Sequence, residues 1–214
     1  MNQDQSEPLF NAPWPAVAVG FLIVAGYALQ TFSGGDALVL RWGYSPALTP
    51  QNGHWETLVT AMFLHGGWPH ALMNGAFGLA FSTPVVRAFG VRGTGLAAFV
   101  SLFLVTGVAG NVGFGVLHPT EVAPLIGASG AVSGLAAAAA RIVAGGGRVG
   151  PLLSPFVVGM GGGWLITNLL TAVLGFAPGA GGATVAWEAH LVGFAVGLFL
   201  VKPLAALANS GIAD

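Results

Sequence analysis

Apolar residues along this 214-residue chain gather into long blocks, and the blocks are separated by short polar or Gly- and Pro-rich stretches. Crossing the roughly 30 Å hydrocarbon layer of a bilayer takes about 20 mostly apolar residues in a helix. Six stretches qualify: Trp14 to Phe32, Trp68 to Val86, Thr94 to Leu117, Ala128 to Val143, Pro151 to Phe176 and Trp187 to Leu207. The pattern therefore predicts an all-α membrane protein, a bundle of six transmembrane helices. Residues 33–67, between the first two stretches, carry Trp42, Tyr44, Trp55 and several prolines, which suits a long structured loop in the membrane interface rather than a further span. The expected organisation is a polar cytoplasmic segment over 1–13, a membrane domain over 14–207 and a tail over 208–214. The first segment carries Asp4 and Glu7 but no Lys or Arg, so it lacks the basic start of a secretory signal. The first apolar stretch is read as retained.

Composition sharpens this picture. Only 6% of residues are charged, against roughly a quarter in soluble domains. The hydrophobic share is 55% and the mean hydropathy +0.81, as expected of a surface that faces the lipid bilayer. With no cysteine, thiol catalysis, disulfides and Cys-ligated metal drop out. A net charge of −1 without a basic run offers no footprint for nucleic acid. Arg87, Arg92, Arg141, Arg148 and Lys202 fall on one side of the predicted topology, and Arg41 alone falls on the other. The positive-inside rule makes the first side cytoplasmic, which puts both termini there.

The 35 glycines allow close helix approach. Gly130 and Gly134 on the fourth predicted helix, and Gly193 and Gly197 on the sixth, form small-residue stripes able to face one another. Polar residues inside spans are functional candidates. Four of them lie near the starts of the second, fourth and sixth helices, at similar depth on the non-cytoplasmic side: His70, Asn74, Ser129 and His190. A serine needs a neighbouring base to become a nucleophile, so Ser129 and His190 suggest a dyad. The start of a helix also presents free backbone N–H groups to a developing oxyanion. His70 and Asn74, four residues apart, share a helical face and could supplement the Ser129 backbone there. Ser133, one turn deeper, is the alternative nucleophile. Asn111 and Asn168 read as interhelical hydrogen-bonders, His65 as a loop residue, and His54 and His118 as belonging to loops. No metal or cofactor is called for.

Taken together these residues resemble a known family. His65-Gly-Gly-Trp-Pro-His70-Ala-Leu-Met-Asn74, Gly127-Ala-Ser129-Gly130 and Glu188-Ala-His190-Leu-Val-Gly-Phe-Ala-Val-Gly197 resemble, in order, the second-helix His and Asn set, the GxSG motif and the AH…GxxxG sixth helix of rhomboid intramembrane serine proteases. The resemblance implies a Ser129–His190 dyad, oxyanion stabilisation by His70, Asn74 and the Ser129 backbone, and a cavity opening to the non-cytoplasmic side of the cell membrane. It also implies transmembrane protein substrates, cleaved in or near their membrane segments. The chain departs from the family at Trp55-Glu56, where Trp-Arg is frequent, and has one extra residue before His65. The first loop is expected to affect stability or lipid contact more than chemistry.

Other functions fit less well. A zinc protease would carry HExxH, and an aspartyl type two intramembrane Asp residues; the sequence has neither. A rhomboid-like protein that only binds transmembrane segments would lack the Ser or the His. A channel would carry polar residues deeper along its helices, where the fourth helix is mostly Ala.

Overall fold

The computed structural model describes residues 11–174 and 185–210. Among these the chain is helical, without strands. Six helices of 16 residues or more form the bundle: α1 (Trp14–Phe32), α5 (Trp68–Phe89), α6 (Gly93–Leu117), α7 (Ser129–Ala144), α8 (Pro155–Leu174) and α9 (Trp187–Ser210). Three short helices, α2 (Asp36–Trp42), α3 (Thr49–Asn52) and α4 (Thr57–Thr60), build the first loop. By length and apolarity four helices are able to cross a membrane: α1, α6, α8 and α9. The other two depart for identifiable reasons. α5 is long enough but carries His70, Asn74, Ser82, Thr83 and Arg87, and α7 has only 16 residues, most of them small.

Every α7 residue from Gly130 to Ile142 is buried, and nearly all of them are Gly, Ala or larger apolar residues, the composition of a helix enclosed by its neighbours. It packs against α5, α6, α8 and α9. Glycine makes the closest of these contacts possible: a methyl group added to Gly193 would run into the Gly130 carbonyl, and one added to Gly197 into Gly134. α8 is the opposite case, with Val157 and Asn168 its only buried residues. Leu165, Ile166, Leu169 and Leu170 point outward.

Helix boundaries shift where local chemistry overrides hydropathy. α8 begins at Pro155 rather than Pro151, because Pro151 and Pro155 bracket a turn and the Ser154 hydroxyl caps the helix by accepting from the Val157 N–H at 3.3 Å. The expected end of that span, Phe176, lies outside the described residues. α9 runs on through Ser210, with Ala208 buried against the bundle.

Side-chain bonds gather one end of the bundle. The Arg87 guanidinium donates to the Asn11 carbonyl at 2.8 Å, and the Thr94 hydroxyl to the Ala208 carbonyl at 3.2 Å. The start of α1, the α5–α6 turn and the end of α9 are thus neighbours. Arg141, counted from sequence as a flanking charge, is instead buried. Its guanidinium donates to the Gly150 carbonyl, at 3.0 and 2.8 Å, and to the Leu198 carbonyl at 2.7 Å. It satisfies carbonyls where α7 ends rather than facing solvent.

At the opposite end the first loop folds over the bundle. Tyr44 and Leu125 exchange backbone bonds of 3.1 and 2.7 Å, and the Asn111 amide donates to the Leu58 carbonyl at 2.8 Å. Gln30 on α1 clamps the His65 backbone reciprocally, donating to its carbonyl at 2.9 Å and accepting from its N–H at 3.0 Å.

Candidate active site

The turn leading into α7 is held by the first loop. The Gly127 N–H donates to the Ala61 carbonyl at 2.9 Å, two residues before Ser129, so the loop reaches the turn that leads to Ser129. Gly127 has φ +120°, a region that disfavours a side chain. A methyl group there would also lie 2.9 Å from His70 Cε1, 3.0 Å from His70 Nε2 and 3.8 Å from Ser129 Oγ. One small space above Gly127 is therefore flanked by the His70 ring and the Ser129 hydroxyl.

Ser129 is the first residue of α7. Val132 is the first whose N–H reaches a carbonyl of this helix, that of Ala128 at 2.9 Å. The N–H groups of Ser129, Gly130 and Ala131 precede it, the unpaired donors that any helix start presents. His190 occupies the first turn of α9, and the Gly130–Gly193 contact draws the two helices together just below it. Ser129 Oγ lies 2.7 Å from His190 Nε2.

The remaining candidates fall around this pair. His70, on α5, is half-buried, and its ring stands edge-on to that of His65 with centroids 4.9 Å apart. His65 is fully buried. Burial first, and then the neighbouring His70, push its pKa down to about 3, which keeps it uncharged. Asn74 is buried, and its amide nitrogen donates to the His70 carbonyl at 3.0 Å, leaving one N–H of that group for another acceptor. Ser133 is wholly buried and its hydroxyl donates to the Ser129 carbonyl at 2.7 Å. It is tied into its own helix, while Ser129 keeps partial exposure. His118 reaches from the end of α6 to Glu188 on α9 at 2.9 Å. Among the described residues no group of three metal-ligating side chains comes together.

Asn168, expected from sequence to bond between helices, does so at the site itself. Asn168 Oδ1 lies 2.7 Å from His190 Nδ1, on the side of the ring away from Ser129. A buried polar residue in an otherwise apolar helix signals an interhelical bond. Which helix receives it depends on the rotation of α8, and periodicity does not report that.

Comparison with known proteins covers the same residues. A family model described as "Rhomboid domain" matches residues 52–206, from α3 to the last turns of α9. The chain is 34% identical over 84 residues to "Putative rhomboid protease YdcA" of Bacillus subtilis (strain 168), a match covering 39% of each chain. It is 36% identical over 78 residues to "RHOMBOID-like protein 9, chloroplastic" of Arabidopsis thaliana, covering 36% of this chain and 16% of that one. The aligned stretches thus span well under half of either relative. The family model spans most of the helical bundle and all four polar residues at its loop-covered end, and on that ground the chain belongs to the rhomboid family.

Proposed function

We propose that this chain is an intramembrane serine endopeptidase that cleaves transmembrane protein substrates in or near their membrane segments, with Ser129 as nucleophile and His190 as general base. The observation that carries the reading is the 2.7 Å contact between Ser129 Oγ and His190 Nε2 at the start of a helix buried from Gly130 to Ile142. In this mechanism Ser129 Oγ attacks the scissile carbonyl carbon while its proton passes to Nε2. The tetrahedral oxyanion accepts hydrogen bonds from the Ser129 backbone N–H, supplemented by His70 and the free N–H of Asn74. Collapse expels the amine, which takes the proton back from Nε2. Water, deprotonated by His190, then hydrolyses the acyl-enzyme.

The same reading takes all six long helices as spans. α5 and α7 fall short in apolarity or length because α7 is shielded by its neighbours and α5 buries Asn74 and Ser82 while holding Arg87 at its end, so neither has to satisfy lipid by itself. The end gathering Asn11, Arg87 and Ala208 faces the cytoplasm, with both termini, and the site opens on the other side. A rhomboid-like protein restricted to binding transmembrane segments is disfavoured because both dyad residues are present.

The test is cleavage of a single-span model substrate in liposomes by the wild type beside Ser129→Ala, His190→Ala and Ser133→Ala, each first shown folded. Loss of cleavage in the first two, with most activity kept in the third, supports the proposal. Cleavage by folded Ser129→Ala would overturn it.

A further inference from the structure

We propose that Asn168 is the positioning residue of this site: its side-chain carbonyl holds the His190 imidazole, through Nδ1, in the tautomer and orientation that free Nε2 to take the Ser129 proton. The inference rests on the dyad reading above and adds a third member from a different helix.

The direction of each bond follows from donor and acceptor counting. The Asn168 amide nitrogen donates to the Trp164 backbone carbonyl at 2.8 Å. A carbonyl only accepts, so that contact identifies the nitrogen end of the carboxamide and leaves the oxygen end facing His190 Nδ1 at 2.7 Å. The oxygen also only accepts, so Nδ1 carries the ring proton. A neutral imidazole has one N–H, which leaves a lone pair on Nε2 facing the Ser129 hydroxyl at 2.7 Å. The relay runs in one sense: Ser129 O–H to Nε2, Nδ1–H to Asn168, and Asn168 N–H to Trp164. Reversing the amide would set two carbonyl oxygens against each other at Trp164.

Packing fixes where the acceptor stands. Trp164 and Asn168 are four residues apart on α8, and His190 and Phe194 four apart on α9, so each pair lies on one helical face. The antiparallel helices meet in two rungs. Asn168 meets His190, and Trp164 stacks on Phe194 with centroids 5.9 Å apart and planes 20° apart. Trp164 also stands edge-on to Phe81 of α5 at 6.2 Å. Asn168 is 5% exposed on a helix whose other buried residue is Val157, and burying a carboxamide is costly without such partners. A neutral acceptor also suits this depth. As Nε2 gains its proton the Nδ1–H bond becomes charge-assisted and strengthens, without a resting carboxylate buried in the membrane.

The test compares the wild type with Asn168→Leu, which keeps apolar volume but cannot accept, and Asn168→Asp, which can. Steady-state cleavage in liposomes is read alongside the 15N imidazole spectrum of histidine-labelled protein, with His190 assigned by difference from His190→Gln. Asn168→Leu is expected to lower kcat at least about tenfold, and by no more than the roughly 10²–10⁴ that a general base contributes. KM should stay within about twofold, Asn168→Asp should recover part of the loss, and the spectrum should move from a Nδ1-protonated ring toward the other tautomer. A purely structural Asn168 would lower thermal stability without altering the tautomer or splitting kcat from KM. Folded Asn168→Leu with wild-type kcat and an unchanged tautomer would overturn the proposal. A Nε2-protonated His190 in the wild type would do so without any variant, which keeps the test decisive if Asn168→Leu does not fold. Ser129→Ala is run in parallel. Should it cleave like the wild type, the dyad reading fails, and the spectrum still decides the placement of the proton by Asn168.

Discussion

α7 and α8 are neighbours of opposite character. α7 is 16 residues of mostly Gly and Ala, buried from Gly130 to Ile142 and enclosed by four other helices. α8 is 20 residues richer in large apolar side chains, and only Val157 and Asn168 in it are buried. The more hydrophobic helix is the peripheral one. In water that order would be inverted, but lipid tails are as apolar as Leu, so burial in a membrane bundle goes to the residues that pack most closely. The difference also divides the site. Ser129 is carried by the buried helix and Asn168, which bonds His190, by the peripheral one, so the proposed relay would bridge the core and the edge of the bundle.

Substitutions should separate the two regions sharply. The largest effect is expected for Gly193→Leu, whose side chain would be driven into the Gly130 carbonyl: a loss of about 3 kcal/mol or more, read as a collapse of the unfolding midpoint in a fixed detergent. Ala137→Leu, on a fully buried α7 position, should cost about 1–3 kcal/mol by overpacking. Gln30→Ala removes both bonds to the His65 backbone and should cost a similar or smaller amount, about 1–2 kcal/mol, with activity reduced only as far as His70 shifts with the loop. Leu169→Ala, on the outward face of α8, should change stability by less than about 0.5 kcal/mol. A cost at Leu169 equal to that at Ala137 would mean that α8 is packed as tightly as α7, and the contrast would be lost.

The helical class and most element positions were readable because hydropathy reports the solvent directly. The first span was located at Trp14 to Phe32, the range of α1. Hydropathy places the start of α8 at Pro151 rather than Pro155 because it does not see the turn set by Pro151, Ser154 and Pro155. The burial of Arg141 is not readable from its charge, because the carbonyls of Gly150 and Leu198 that hold it are brought to it only by the fold. Ser129 and His190 can be singled out because a hydroxyl and an imidazole stand out in apolar helices, and their similar depth at the starts of two helices pairs them. Asn168 stands out equally in sequence, but its partner depends on how α8 is rotated, which lipid-facing Leu and Val residues leave undetermined. The first loop was the least legible region. Its short helices and its bond from Gly127 to Ala61 depend on contacts between segments far apart in the chain.

The most direct measurement of the central claim is to label the reconstituted protein with a serine-reactive fluorophosphonate and locate the adduct by peptide mass spectrometry. Attachment at Ser129, absent from folded His190→Ala, is the result predicted from the 2.7 Å pairing of hydroxyl and imidazole. Attachment at Ser133, or labelling of Ser129 undiminished without His190, would contradict it.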